Sequence, residues 1–400
     1  MVTSPTQFEP LLPSDASVAP LLELAHRLIR AATSLDGKLS DASKSALTPL
    51  LREMNSYYSN RIEGQHTFPL DIQRALQGTY ARDPDRARRQ RLALAHIHTE
   101  EWAEGIFAGT DWRKLYSAQA VEALHRQLYE QLPKADRLME DGSAVIPGTW
   151  RTCDVQVGTH VAPQASAIAA FFRRWEEGYA GLPSGERALI GVACAHHRLA
   201  WIHPFLDGNG RVTRLHSHLL FHSMGLTSGL WSPMRGLARS QDRYYALLAG
   251  ADAARAGDLD GRGNLSEAGL LAFARYFLES CLDQVRFMGD ILEFAGLRER
   301  LQEFLTLESL KPESSLRPEA TNALHYVFLA GTLTRGEFKA MTGLASRTAD
   351  RVLAELLRRQ LLLSDTAKGP VRFGIPLWAL RFYFPNLWTE AEIDQSPPLG

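Results

Sequence analysis

The sequence predicts an all-α protein with one short β excursion, and three observations carry that expectation. Apolar residues recur at helical spacing through most of the 400 residues, the period of helices with one buried face. One segment, between Pro147-Gly148 and Gly158, alternates with a strand period instead. Composition is that of an ordinary globular chain, with 45% hydrophobic and 22% charged residues, which excludes disordered, collagen-like and coiled-coil classes.

Taken in order, residues 1 to 18 are rich in Pro, Ser and Thr and read as an extended arm. Leu21 to Ile29 and Leu47 to Tyr58 are amphipathic helical stretches. Arg82 to Arg91 carries five arginines and reads as a solvated helix face. Helices follow over Ala118–Leu132, Ala165–Gly178, Glu186–Ile202 and Leu270–Phe294. Between the first two, Trp150, Thr152, Val155 and Val157 alternate and predict a hairpin or flap. Beyond residue 306, Pro312–Pro318 reads as a linker and Ala320–Leu329 as a helix. Thr334 is read as the cap of a short helix, Gly343 as a turn, and Ser346 as the cap of a helix over Arg347–Leu361. Lys368 to Phe373 resembles a β-wing, so this third reads as a winged helix-turn-helix with Arg347, Arg351 and Arg358 on one face.

Charge and cysteine usage narrow the classes further. A net charge of −1 argues against a polyanion-binding surface over the whole chain. Three widely spaced cysteines, Cys153, Cys194 and Cys281, fit free thiols in a reducing compartment. Met1 to Ser14 lacks a basic and then apolar leader, and no window approaches the ~18 apolar residues of a membrane span. The expectation is a soluble, cytoplasmic protein with no membrane partner.

Residues 203–214, His-Pro-Phe-Leu-Asp-Gly-Asn-Gly-Arg-Val-Thr-Arg, concentrate the chemistry. Gly208-Asn209-Gly210 can turn successive N–H groups inward as an anion nest. Val212, Leu215 and Leu219 predict a helix behind it, whose N-terminal dipole favours phosphate. Arg211 and Arg214 supply forked donors to more than one phosphate. Asp207 is placed for Mg²⁺, and His203 is a base near neutral pH. Together these residues describe phosphate chemistry with a general base.

The segment resembles the HPFxDGNGRxxR signature of the Fic family, with every specified position filled. The resemblance implies a Fic helical core with a short β-hairpin flap and a transfer of AMP from ATP, with Mg²⁺, to a Ser, Thr or Tyr hydroxyl of a protein. His203 would then deprotonate the hydroxyl and Asp207 bind the metal. Gly208, Asn209 and Gly210 would cradle phosphates held by Arg211 and Arg214, while Phe205 anchors the loop. The flap, assigned to Thr149, Trp150, Arg151 and Thr152, would dock the target by strand addition. Tyr244 and Tyr245 resemble the family residues bordering the adenine; Asp252, where some relatives carry Asn, can accept but not donate hydrogen bonds.

Ser59-Asn60-Arg61-Ile62-Glu63-Gly64 matches a second family pattern, [Ser/Thr]-x-x-x-Glu-[Gly/Asn], which marks an inhibitory helix. By that resemblance Ser59, Glu63 and Gly64 belong to a switch in which Glu63 pairs with Arg214 and withholds it from ATP. The expected organisation is an N-terminal helical region with the inhibitory helix (1–110), a Fic catalytic core (111–305) and a winged-helix-like domain (306–400). Nest, metal ligand and inhibitory helix all lie upstream of residue 310, so the last third is expected to be dispensable for folding and ATP binding. Its partner is expected to be DNA or protein, and the enzyme itself is a further expected acceptor of AMP. Alternatives are a nucleotide-sensing winged-helix DNA-binding regulator, and a Fic enzyme that uses another nucleotide or removes AMP; an intact His203 weighs against a pure sensor. His218 and His222 are four apart without an HExxH motif and read as core packing, and no P-loop occurs.

Overall fold

A computed structural model describes residues 2–292 and 295–393. The first half is a run of eight helices: α1 (Ala19–Asp36), α2 (Asp41–Ile62), α3 (Pro69–Leu76), α4 (Pro84–Ile106), α5 (Ala118–Glu130), α6 (Ile168–Tyr179), α7 (Glu186–Ile202) and α8 (Asn209–Ser223). Next come α9 (Met234–Arg239), α10 (Gln241–Asp252), α11 (Glu267–Ile291) and α12 (Ala295–Ser309). The expected helix to Phe294 thus ends at Ile291; Glu293 and Phe294 lie outside the described residues.

Helix α7 is buried on almost every side, with Leu189, Val192, Ala193, Cys194 and Ile202 in the core and His196, His197 and Arg198 buried on hydrogen bonds. Helices α1, α6, α8 and α11 pack about it. That packing fixes the end of α7, and so His203, relative to the start of α8.

The N-terminal arm is not extended. Phe8 is fully buried against Phe171, with ring centroids 5.1 Å apart, and Trp201, at 5.5 Å. Tyr179 Oη donates to the Leu11 carbonyl at 2.8 Å. A Pro/Ser-rich composition hid two anchors, Phe8 and Leu11, whose burial outweighs the cost of ordering the segment.

Two arginines of the basic stretch are paired rather than solvated. Arg86 makes a two-pronged contact with Asp71 at 2.6 and 2.8 Å, and Arg91 does so with Asp136 at 2.5 and 3.1 Å.

The final segment holds α13 (Thr321–Ala330), β3 (Thr332–Leu333), α14 (Arg335–Thr342), α15 (Ser346–Arg358), β4 (Leu362–Leu363), β5 (Val371–Phe373), α16 (Leu377–Tyr383) and α17 (Thr389–Ile393). Two further strands lie upstream, β1 (Gln156–Val157) and β2 (His160–Val161). The three C-terminal strands form an antiparallel sheet in the order β3-β5-β4, with Thr332 opposite Arg372 and Leu362 opposite Phe373. Thr334 caps α14 with Glu337 in a reciprocal capping box. Ser346 does not cap α15: it is the first helical residue, Ala345 holds the cap, and the helix stops at Arg358.

This segment is not a free appendage. Trp388 is fully buried, and its ring lies 5.6 Å from that of Tyr57 on α2. Ser40 and Ser43, at the start of α2, donate to the carbonyls of Leu329 and Phe328. These contacts run against the expectation that residues past 310 are dispensable for folding, because their removal would uncover part of α2. Among the described residues no helix is long and apolar enough to cross a membrane, and the three cysteines are free.

Candidate active site

The site forms where α7 ends and α8 begins. His203 terminates α7 in a left-handed conformation with φ 48°, and Gly208, with φ 81°, caps α8. A side chain at Gly208 would meet the Tyr129 ring at 2.6 Å, so backbone angle and space both require glycine. The helix starts one residue before Gly210, at Asn209. The Asn209 side chain is committed to the loop: its Oδ1 accepts from Phe205 N at 2.9 Å and its Nδ2 donates to Phe205 O at 2.8 Å. Its backbone remains for the expected nest of N–H groups, while its side chain holds the loop in shape.

Phe205 is buried and stacks on His125, with centroids 3.8 Å apart and planes 6° from parallel. His125 Nδ1 accepts from Gly148 N at 2.8 Å, so its Nε2–H donates to the Asp207 carbonyl at 3.2 Å. Tyr129 Oη and Arg211 Nη2 both donate to Asp207 Oδ2, at 2.6 and 3.0 Å. Burial disfavours the charged carboxyl, but the Arg211 guanidinium and the Tyr129 hydroxyl more than offset it and hold Asp207 below its usual range. A charged carboxylate of this kind fits the Mg²⁺ role, since the metal takes few protein ligands when phosphates supply the rest. His125 and Tyr129 were missed in the sequence, where their spacing of four on an amphipathic helix looked like core.

Glu63 stands across the nest. Arg214 Nη2 donates to Glu63 Oε1 at 2.5 Å and to the Ser59 carbonyl at 3.0 Å, and Arg214 Nε donates to Ser59 Oγ at 3.0 Å. A Cβ at Gly210 would collide with the Glu63 carboxylate, so only glycine permits this approach. Gly64 ends α2 at φ 73°. Tyr245 Oη and Gln241 Nε2 donate to the Ile62 carbonyl at 2.6 and 3.0 Å, clamping the end of α2 against α10.

One cavity of about 250 Å³ is lined by Glu63, His203, Gly210, Arg214, Tyr245 and Asp252, among others. That is below the usual ~300–1,000 Å³ of ligand sites, and the Glu63 side chain narrows it. Burial, then neighbouring His160 and Arg151, pull His203 down to about 4, so the imidazole is neutral at pH 7 but a weaker base than an ordinary histidine. Arg211 Nε and Nη1 are buried N–H groups without a hydrogen-bond partner. Tyr244 is buried, with its hydroxyl donating to His196 Nε2 at 2.8 Å. Asp252 is held between His160, at 3.3 Å, and His197, at 3.1 Å.

The flap sits further along than predicted. Gln156 pairs with Val161 and Val157 with His160, so the edge strands lie after Thr149, Trp150, Arg151 and Thr152. Arg151 is buried, donating to the carbonyls of His203 at 2.8 Å and Pro163 at 2.5 Å. Trp150 stacks on Phe172 at 5.2 Å. Residues 149–152 thus brace the loop behind His203, and the alternation marked an anchored extended segment rather than a strand.

The all-α body and the loop between α7 and α8 define a Fic-type helical core. Residues 115–221 match the sequence model of the Fic/DOC family and form a domain of that family. The chain is similar to the proteins named protein adenylyltransferase Fic of Drosophila grimshawi and Drosophila willistoni. Each is 29% identical over 136 residues, 34% of this chain and 27% or 26% of theirs. The match thus spans about a quarter of those relatives' length. A solved structure of a Fic family protein from Desulfovibrio desulfuricans G20 shares the fold. Its TM-score is 0.50 at 19% identity, covering 88% of this chain and 96% of that one.

Proposed function

We propose that this chain is a protein adenylyltransferase held in a self-inhibited state by Glu63. The observation that carries the reading is one cavity in which a neutral His203 faces a nest whose last arginine, Arg214, is bound by a carboxylate from α2. His203 takes the proton of a target Ser, Thr or Tyr hydroxyl. The freed oxygen attacks the α-phosphorus of ATP, the bond to the β-phosphate breaks, and pyrophosphate leaves. Asp207 would hold Mg²⁺, which neutralises phosphate charge when bound. Arg211 and Arg214 orient the outgoing phosphates, and the exposed edge of β1 and β2 registers the target backbone.

Glu63 opposes this arrangement twice. It occupies Arg214, and it places negative charge where the terminal phosphate must sit, so the α-phosphorus is misaligned for attack. The chain's own hydroxyls are proposed as further acceptors. We read residues 1–110 as the region bearing the switch, 111–305 as the catalytic core and 306–400 as a winged-helix-like module for DNA or protein. The helices and three-stranded sheet after residue 320 support that last assignment.

Incubation with labelled ATP and Mg²⁺ tests the proposal. Protein-bound label is expected weakly for the unmodified chain and strongly once Glu63 is replaced; no label in either, with ATP bound, would overturn it.

A further inference from the structure

Beneath the motif helix, away from the cavity, lies a second constellation of ligand-type side chains. Glu100 and Glu104 are four apart and share one face of α4, and His218 faces them from α8. All three are buried. Their donor atoms lie within 4.8 Å of one another, with His218 Nε2 at 2.9 Å from Glu104 Oε1 and 3.7 Å from Glu100 Oε1. Ligand atoms around a tetrahedral zinc, with bonds of about 2.0–2.2 Å, sit roughly 3.3 Å apart. The two measured separations bracket that value.

The observation that points to a ligand is His96, one turn before Glu100. Its imidazole is wholly buried, and neither ring nitrogen has a hydrogen-bond partner. Its Nδ1 lies 3.9 Å from Glu100 Oε2, which is itself buried and unpartnered, as is His218 Nδ1. That gap is too long for a hydrogen bond and somewhat longer than the spacing of two ligands on one zinc, and His96 lies outside the group of three, so its imidazole must shift inward to join them. A His218–Glu104 ion pair alone accounts for one contact and leaves His96 and Glu100 Oε2 unexplained.

The outer groups are those of a built site. Arg52 donates to Glu104 Oε2 at 2.5 Å, leaving Oε1 toward the centre. Asn55 donates to Glu100 Oε1 at 2.8 Å and accepts from Ser232 at 2.5 Å. Ligating carboxylates are ordinarily oriented by such partners.

We propose that Glu100, Glu104 and His218, with His96 as the fourth donor, bind a divalent transition metal of the zinc class. Two carboxylates and two imidazoles without a thiolate suit zinc ahead of the softer ions, and a closed four-donor set is structural rather than catalytic. Bound there, the metal staples α4 to α8. Through Arg52 and Asn55 it also engages α2, the helix that carries Ser59 and Glu63. The pairing with α4 distinguishes this site from a His218–His222 motif, and it stands independently of the proposed transferase reaction.

The test uses the full chain, equilibrated with zinc chloride, desalted, and assayed for retained zinc by mass spectrometry and for thermal stability. About one zinc per chain and a zinc-dependent rise in Tm are expected. Glu104→Gln and His218→Asn should each abolish retention. His96→Phe fills the same space without a donor and should weaken zinc affinity at least about tenfold while the chain stays folded. Glu101→Gln, at an exposed position on the same helix, should retain zinc. Failure of the unmodified chain to retain zinc, cobalt or manganese, with Tm unmoved by each, would overturn the site. So would equal zinc retention in the unmodified chain and His96→Phe together with Glu104→Gln.

Discussion

Arg214 and Glu63, 151 residues apart in sequence, meet at 2.5 Å on the floor of the cavity, and Ser59 takes two further N–H contacts of the same guanidinium. The arginine is almost wholly buried while the carboxylate is partly open to solvent. The pair therefore brings an anion to the one place where the proposed reaction needs a cation free.

Replacing Glu63 by Gly should raise AMP labelling of the chain and of added proteins by on the order of a hundredfold, the size of one recovered transition-state contact. Intact-mass measurement of bound AMP reads the effect. Glu63→Gly with Arg214→Ala should return to the low level; equal labelling of the unmodified chain and Glu63→Gly would mean that α2 ends in an ordinary ion pair. Losing its partner also leaves Arg214 uncompensated, so Glu63→Gly should melt lower without nucleotide and recover when ATP is added.

His203→Ala should lower labelling by about 10²–10⁴ with ATP binding retained, since the imidazole acts on the hydroxyl. The pH profile carries a signature. Burial, reinforced by neighbouring His160 and Arg151, places His203 near 4, so the base stays neutral as pH falls through the usual histidine range of ~6.5. In Glu63→Gly, labelling should hold to about pH 5 and decline below that; a half-point at the ordinary histidine value would show that His203 is solvated during turnover.

The C-terminal segment should matter to α2. Glu390 accepts from Tyr58 Oη at 2.8 Å and from Arg61 Nη1 at 2.9 Å, on either side of Ser59. Glu390→Ala strands the Tyr58 hydroxyl and should cost about 1–2 kcal/mol in urea unfolding, with basal labelling raised as α2 loosens. Truncation from residue 310 exposes the surface under Trp388 and should broaden the unfolding transition; a truncated chain as stable and cooperative as the whole would refute the coupling.

A buried histidine makes acid stability predictable. Burial pulls His216 down to about 4, only partly opposed by its bond to the Leu115 carbonyl at 2.9 Å. Between about pH 6.5 and 4 the unfolded chain takes up a proton that the folded chain refuses. Stability therefore falls with pH across that window and levels off below it, by up to roughly 3 kcal/mol for this group. Urea midpoints at pH 7 and 5 should differ less in His216→Gln than in the unmodified chain.

Local signals reached far in this chain. The helix over Glu186–Ile202 was legible to the residue because a continuous apolar run ends at a Pro-bearing loop, and the Thr334 cap was legible because a capping box is local. The 203–214 loop was legible because glycines, arginines, a carboxylate and an imidazole within twelve residues leave few other uses. The N-terminal arm, the placement of the flap at residues 149–152 and the Ser346 cap were not legible. There composition and alternation are weak signals, and long-range burial of Phe8, Trp150 and Arg151 decided the outcome.

By itself the sequence determined the all-α class and the residue types of the phosphate loop, since helix period and glycine chemistry act over a few neighbours. Tertiary structure alone decided which side chains meet. His125 and Tyr129 brace Asp207, and His218 turns to Glu100 and Glu104 rather than His222. Each of these contacts joins groups that no local spacing relates. Which buried donor finds which acceptor is settled by the packing of whole helices, because the interior offers no water to satisfy a polar group left unmatched.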